Sequence, residues 1–265
     1  MDVDEYCGSN SDWSALKELE GTAPMKILNL RWFKHKPPAL EALVRWPKEL
    51  QSLIFNPVPV YQIHRPGVFP GWTLKHLQPI LKIQMANLRD LTIDEWECME
   101  DADAGNLDLR GFTMLERLRL PTSLTGCDTR YIPRIIPPNL RYFRWKMIYD
   151  HGEIVLGNQH KKWLSTLTKS AAKERQKLNT IFVALDFEDL YILLNHTVIY
   201  PWDALDDIDK ESKRFGLRVR YNEPFVTREE VEKARISRRL WLNEEPDSDE
   251  DPTERMYQFD REWLW

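Results

Sequence analysis

A six-residue apolar pattern of the form L-x-x-L-x-L, with apolar substitutes, recurs along most of the chain. It runs Met25-Lys-Ile-Leu28-Asn-Leu30, Leu50-Gln-Ser-Leu53-Ile-Phe55, Leu88-Arg-Asp-Leu91-Thr-Ile93, Leu115-Glu-Arg-Leu118-Arg-Leu120, Leu140-Arg-Tyr-Phe143-Arg-Trp145 and Leu178-Asn-Thr-Ile181-Phe-Val183. A weaker seventh copy reads Arg214-Phe-Gly-Leu217-Arg-Val219. First positions are separated by 25, 38, 27, 25, 38 and 36 residues. Self-similarity at such intervals points to stacked units, although a regular leucine-rich repeat is shorter, at about 20–29 residues. The end of each hexad has the alternation of a strand, with the first, fourth and sixth positions facing inward and the third and fifth outward. Parallel strands need a crossover, usually a helix, and these intervals are long enough to hold one.

Several connections carry helical signals. Pro37 to Trp46 places Leu40, Leu43 and Val44 on one face, with Pro at the start and Pro47 as a stop. Thr73 to Met85 aligns Leu74, Leu77 and Leu81, with a kink expected at Pro79. Lys161 to Gln176 groups Trp163, Leu164, Leu167 and Ala171, and Asp203 to Arg214 turns Leu205 and Ile208 inward. Thr227-Arg-Glu-Glu230 is a capping box opening a helix to about Leu242.

The charge is uneven. Residues 227–265 hold 12 acidic and 7 basic side chains, which accounts for the whole net charge of −5 and leaves 1–226 neutral. A neutral body has no general pull on nucleic acid phosphates. No run of 18 apolar residues is present, so no membrane span is expected. The acidic start, Met-Asp-Val-Asp-Glu-Tyr, lacks the apolar stretch of a secretory signal. Cys7, Cys98 and Cys127 are odd in number and far apart, which suits free thiols in an intracellular, reducing compartment, cytoplasmic or nuclear.

The strings Pro38-Ala-Leu-Glu-Ala-Leu-Val-Arg-Trp-Pro47-Lys-Glu-Leu50-Gln-Ser-Leu53, Trp72-Thr-Leu-Lys-His-Leu-Gln-Pro79-Ile-Leu81 and Ile136-Pro-Pro-Asn-Leu140-Arg-Tyr-Phe-Arg-Trp145 resemble irregular leucine-rich-repeat proteins of filamentous fungi. The resemblance covers about residues 22–222. Many members of that group carry an F-box ahead of the repeats, whereas the residues before Met25 contain no Leu-Pro opening of one. For a relative with an F-box upstream, the resemblance implies a ubiquitin-ligase adaptor as partner. Here it implies a recognition face without a recognisable F-box.

Motifs for chemistry fail one by one. There is no Gly-x-Gly-x-x-Gly, no Gly-x-x-x-x-Gly-Lys and no Gly-x-Ser-x-Gly. His35, His64, His76, His151, His160 and His196 form no His-x-x-x-His pair and have no Cys-x-x-Cys partner. The acidic stretch Glu95–Gly105 departs from a calcium loop at three positions: Gly105 at a ligand, Asn106 at the required glycine and Phe112 at the bidentate glutamate. Asn195-His-Thr197 is a sequon without a secretory route. Cys98 and Cys127 read as packing residues. No cofactor, metal or catalytic residue is expected.

What remains is surface recognition. The outward strand positions are Ile27 and Asn29, Ser52 and Ile54, Asp90 and Thr92, Arg117 and Arg119, Tyr142 and Arg144, then Thr180 and Phe182. Neighbouring strands lie about 4.8 Å apart, so Arg117, Arg119, Tyr142 and Arg144 share one patch. Arginine and tyrosine are enriched at interface hot spots, and an acidic peptide or phosphopeptide suits such a patch. Glu244–Glu254 carries seven acids in eleven residues and is a second candidate to offset these arginines, followed by an aromatic stretch to Trp265.

The expected architecture is therefore α/β: a leucine-rich-repeat-like solenoid with a curved parallel sheet of about six short strands and helices on the outer face. Residues 1–21 form a flexible N-terminal segment, 22–226 the repeat domain, 227–243 a C-terminal helix and 244–265 an acidic and aromatic tail. The expected function is a non-catalytic protein–protein interaction module binding an unidentified protein or acidic peptide. Open alternatives are a truncated ubiquitin-ligase receptor fragment, or an enzyme whose site is assembled from residues far apart in sequence.

Overall fold

A computed structural model describes residues 13–58, 72–94, 96, 107–147, 158–173, 177–185 and 201–222, with helical positions 229, 233 and 236. Seven strands form one sheet: β1 (Ile27–Phe33), β2 (Ser52–Pro57), β3 (Asp90–Thr92), β4 (Arg117–Pro121), β5 (Tyr142–Met147), β6 (Thr180–Leu185) and β7 (Arg218–Tyr221). All are parallel, and their order across the sheet is their order in the chain. The first six begin at the third residue of their hexads, so equal phase in the pattern becomes register in the sheet.

The fourth positions make a continuous buried row: Leu28, Leu53, Leu91, Leu118, Phe143, Ile181 and Val219 are successive in-register partners. Fully burying such a side chain contributes about 1.5–3 kcal/mol. A backbone device repeats with it. In the first five units the carbonyl of the second position accepts two amides from the next unit: Lys26 from Gln51 and Ser52 at 2.8 and 2.9 Å, and Gln51 from Arg89 and Asp90 at 2.8 and 3.0 Å. The same pattern continues through Arg89, Glu116 and Arg141. It satisfies the backbone where each chain segment joins the sheet.

Two expectations change. The sheet has seven strands rather than about six, because the weak seventh copy also pairs. Its register is shifted by two residues: Val219, expected at the sixth position, pairs with Ile181 and so holds the fourth. A two-residue slip keeps every side chain on its face, so the alternation of Leu217 and Val219 could not distinguish the two registers. The backbone of Gly216, at φ 74°, turns the chain into β7 in a left-handed conformation that a side chain would resist.

Helices α1 (Pro37–Arg45) and α2 (Leu74–Ile83) lie on the crossovers flanking β2. Two short turns, α3 (Thr122–Thr125) and α4 (Ile132–Ile135), connect β4 to β5. Helices α5 (Asn158–Lys173) and α6 (Pro201–Ser212) precede β6 and β7. Their expected stripes are buried: Leu40, Leu43 and Val44 on α1; Leu74, Leu77 and Leu81 on α2; Trp163, Leu164, Leu167 and Ala171 on α5; Leu205 and Ile208 on α6. Helix α2 continues past Pro79 to Ile83. Trp163 stacks on Trp145 of β5 at 4.4 Å, and the Trp145 indole N–H donates to Thr125 Oγ1 at 2.8 Å. This joins three elements through one buried pair.

Gln84, 5% exposed at the end of α2, uses its full hydrogen-bonding capacity. Its Nε2 donates to the carbonyls of Val44 and Pro47, each at 3.0 Å. Its Oε1 accepts from the Leu50 amide at 3.2 Å and Asn87 Nδ2 at 3.0 Å. One side chain thus ties the end of α1, the start of β2 and the end of α2.

Ahead of β1, Trp13–Leu19 forms a 3-10 segment, with Trp13 and Leu16 packed against the core. Within the expected C-terminal helix, the described positions are helical and Lys233 pairs with Glu229 at 2.9 Å. The acidic and aromatic tail lies outside the described residues. Among the described residues, no helix is long and apolar enough to cross a membrane.

Candidate functional site

All-parallel sheets normally have both faces covered. Here the third and fifth positions form two rows on the face opposite the core, and several are exposed. The third-position row is Ile27, Ser52, Asp90, Arg117, Tyr142, Thr180 and Arg218; the fifth-position row is Asn29, Ile54, Thr92, Arg119, Arg144, Phe182 and Arg220. The four expected residues come together: Arg117 is the in-register partner of Tyr142, and Arg119 of Arg144. Thr92 departs from expectation, at only 8% exposed. It is the in-register partner of Ile54 on one side and Arg119 on the other.

The seventh strand adds Arg218, outward in either register, and Arg220, which lies beyond the hexad, to these rows. Arg218-Val-Arg220 repeats the Arg117-Leu-Arg119 spacing, so that echo was the signal available in the sequence. In the third- and fifth-position rows, β4, β5 and β7 carry arginines, whereas from β1 to β3 the charged residue of those rows is Asp90.

The arginines differ in how they are balanced. Arg117 forks onto Asp90 on the neighbouring strand: its Nε donates to Oδ1, and its Nη2 to Oδ2 at 2.8 Å. Arg218, on the edge strand, reaches Asp209 of α6 at 3.2 Å. Asp209 also accepts from the Val219 amide and from Lys213 Nζ, both at 2.9 Å. Burial would push the Asp209 carboxyl up. The hydrogen bonds from Lys213, the Val219 amide and Arg218 outweigh it and hold the group below the usual carboxylate range.

Arg119 and Arg220 are exposed and make no ion pair among the described residues. The Arg144 guanidinium lies 5.6 Å from the Phe182 ring centroid, a cation–π contact, and its shielded Nε has no hydrogen-bond partner. The acid that offsets Arg117 is Asp90, while the second candidate, Glu244–Glu254, lies outside the described residues.

Elsewhere the chemistry is structural. Among the described residues no three His, Cys, Asp or Glu side chains are grouped to hold a metal ion. Burial pushes the Cys127 thiol up, so it is protonated near neutrality. Burial, aided by Lys34, lowers His35, which sits edge-on between Trp13 and Phe33 at 5.4 Å from each. A groove of about 450 Å³ between α5 and α6 is lined by Lys161, Lys162 and Ser165 on one side and Asp203, Asp207 and Ile208 on the other. Its charges are of both signs. His64, His151, His196, Cys7, Cys98, the sequon and most of the Glu95–Gly105 stretch lie outside the described residues.

No protein-family model matches the chain, and no curated protein or solved structure is detectably similar to it.

Proposed function

We propose that this chain is a non-catalytic protein-interaction module, a leucine-rich-repeat-like arc whose open sheet face binds an acidic peptide segment of a partner protein. The observation that carries the reading is the row Arg119, Arg144 and Arg220, which faces outward and has no carboxylate opposite it among the described residues. Support for the repeat-like kinship comes from seven parallel strands in chain order, with one hexad phase setting the register of the first six. Guanidiniums suit carboxylate partners because they offer forked donors, and Tyr142 and Phe182 supply the aromatic surface typical of hot spots.

The test is fluorescence anisotropy with a labelled pool of Asp/Glu-rich peptides. Binding should weaken as salt rises from about 50 to about 300 mM, because exposed ion pairs are screened. The double variant Arg119→Glu, Arg144→Glu should abolish it. Binding that survives this charge reversal sinks the reading.

A further inference from the structure

We infer that Arg119 and Arg144 form a subsite for a phosphate monoester carried on a peptide, a deepening that rests on the acidic-peptide reading above. Two arginines of the face already have acids, Asp90 for Arg117 and Asp209 for Arg218. Arg119 and Arg144 have none among the described residues, although they are in-register neighbours on strands about 4.8 Å apart. Like charges placed directly opposite one another on adjacent strands are unfavourable until an anion offsets them.

A carboxylate offsets one guanidinium. A phosphate monoester carries about −1.5 to −2 charges near neutrality and presents three acceptor oxygens, which matches two forked donors. The orientation of Arg144 is set in advance by the Phe182 ring, 5.6 Å from its guanidinium. Ordering that side chain on binding therefore costs less than ordering a free one. Tyr142 lies next to Arg144 along β5, two residues away on the same face. Arg220, beyond Phe182 on β7, is placed for an acidic residue flanking the phosphate.

A peptide fits better than a nucleic acid. Arg119, Arg144 and Arg220 lie in one row across four strands, and residues 1–226 are neutral overall. Nucleic acid binding instead calls for an extended cationic track along a backbone.

The experiment uses the full chain and three labelled probes: a pool of heptapeptides with a central phosphoserine and randomised flanks, the same pool with glutamate at the centre, and an oligothymidine. The phosphoserine pool should bind about tenfold tighter than the glutamate pool. Inorganic phosphate should compete, and affinity should fall between pH 7 and pH 5 as the phosphate gains its second proton, near a pKa of about 6. Arg144→Lys, which keeps the charge but loses the fork, and Arg119→Gln should each weaken binding about tenfold. Arg214→Gln, an exposed arginine on the turn before β7, should not. Equal binding of the two peptide pools, lost together in the Arg119 and Arg144 variants, overturns the phosphate subsite and leaves the acidic-peptide reading standing. Binding of both pools that ignores those variants, or no binding of either pool, overturns both. Tighter binding of the oligothymidine overturns the peptide as the carrier.

Discussion

Asp90 on β3 and Arg117 on β4 are in-register neighbours, and the guanidinium forks onto both oxygens of the carboxylate. Twenty-seven residues apart in the chain, they form the boundary between the weakly charged and the basic halves of the open face. The Arg117 side chain is 66% exposed, so the pair contributes little to stability. Its effect is on charge. Asp90→Asn should change the unfolding free energy by no more than about 0.5 kcal/mol. It should nevertheless tighten binding of Asp/Glu-rich peptides and steepen the salt dependence, because Arg117 is released. Anisotropy titrations at two salt concentrations check this; weaker binding would mean that Asp90 orients Arg117 rather than occupying it.

Leu118 sits at the centre of the buried row, between Leu91 and Phe143. Leu118→Ala should cost about 2–4 kcal/mol through lost burial and the cavity left behind. Urea unfolding measures it. A denaturation midpoint equal to that of the parent chain would contradict the burial.

Gln84→Leu should cost about 2–4 kcal/mol, because the Leu50 amide and the Val44 and Pro47 carbonyls would lose their partner inside the protein. The isosteric Gln84→Glu keeps the acceptor and loses both donations, so it should destabilise as well. Hydrogen exchange at the Leu50 amide, fast in Gln84→Leu and slow in the parent, localises the effect.

Asp209 makes stability depend on acid. Its carboxyl is held below the usual range in the folded chain, so its contribution is complete above the unfolded value of about 3.9 and is lost as pH falls through the folded value. Asp209→Asn should be less stable near neutrality, and its unfolding free energy should vary less with pH between about 5 and 2. Parallel pH dependences for the two proteins would show that Asp209 is not part of that linkage.

Trp145→Phe should lose the donation to Thr125 Oγ1 and part of the stack on Trp163, at a cost of about 1–3 kcal/mol. Near-ultraviolet circular dichroism of the stacked indoles reports the same change, and an unaltered spectrum would argue against the stack.

The hexads determined much of this architecture before any tertiary contact was known. Their apolar fourth positions align because a period of two separates core from surface on every strand, and equal phase then becomes equal depth in the sheet. The helices on the connections were legible for the same reason: Leu40, Leu43 and Val44, or Trp163, Leu164 and Leu167, make a stripe only at helical spacing. The outward placement of Arg117, Arg119, Tyr142 and Arg144 followed from that alternation alone.

The sequence by itself therefore determined which residues face inward, which face outward and where strands alternate with helices, because these are properties of local periodicity. Only the tertiary structure decided the remainder. The two-residue shift of β7 keeps the same faces, so periodicity could not settle it, and it is set by pairing with β6. That Gln84 is saturated depends on partners 34 to 40 residues away. That Arg117 is balanced by Asp90, while Arg119 and Arg144 are not balanced among the described residues, depends on which strands become neighbours. Charge compensation acts over a few ångströms of space rather than along the chain, and those distances exist only once the sheet is assembled.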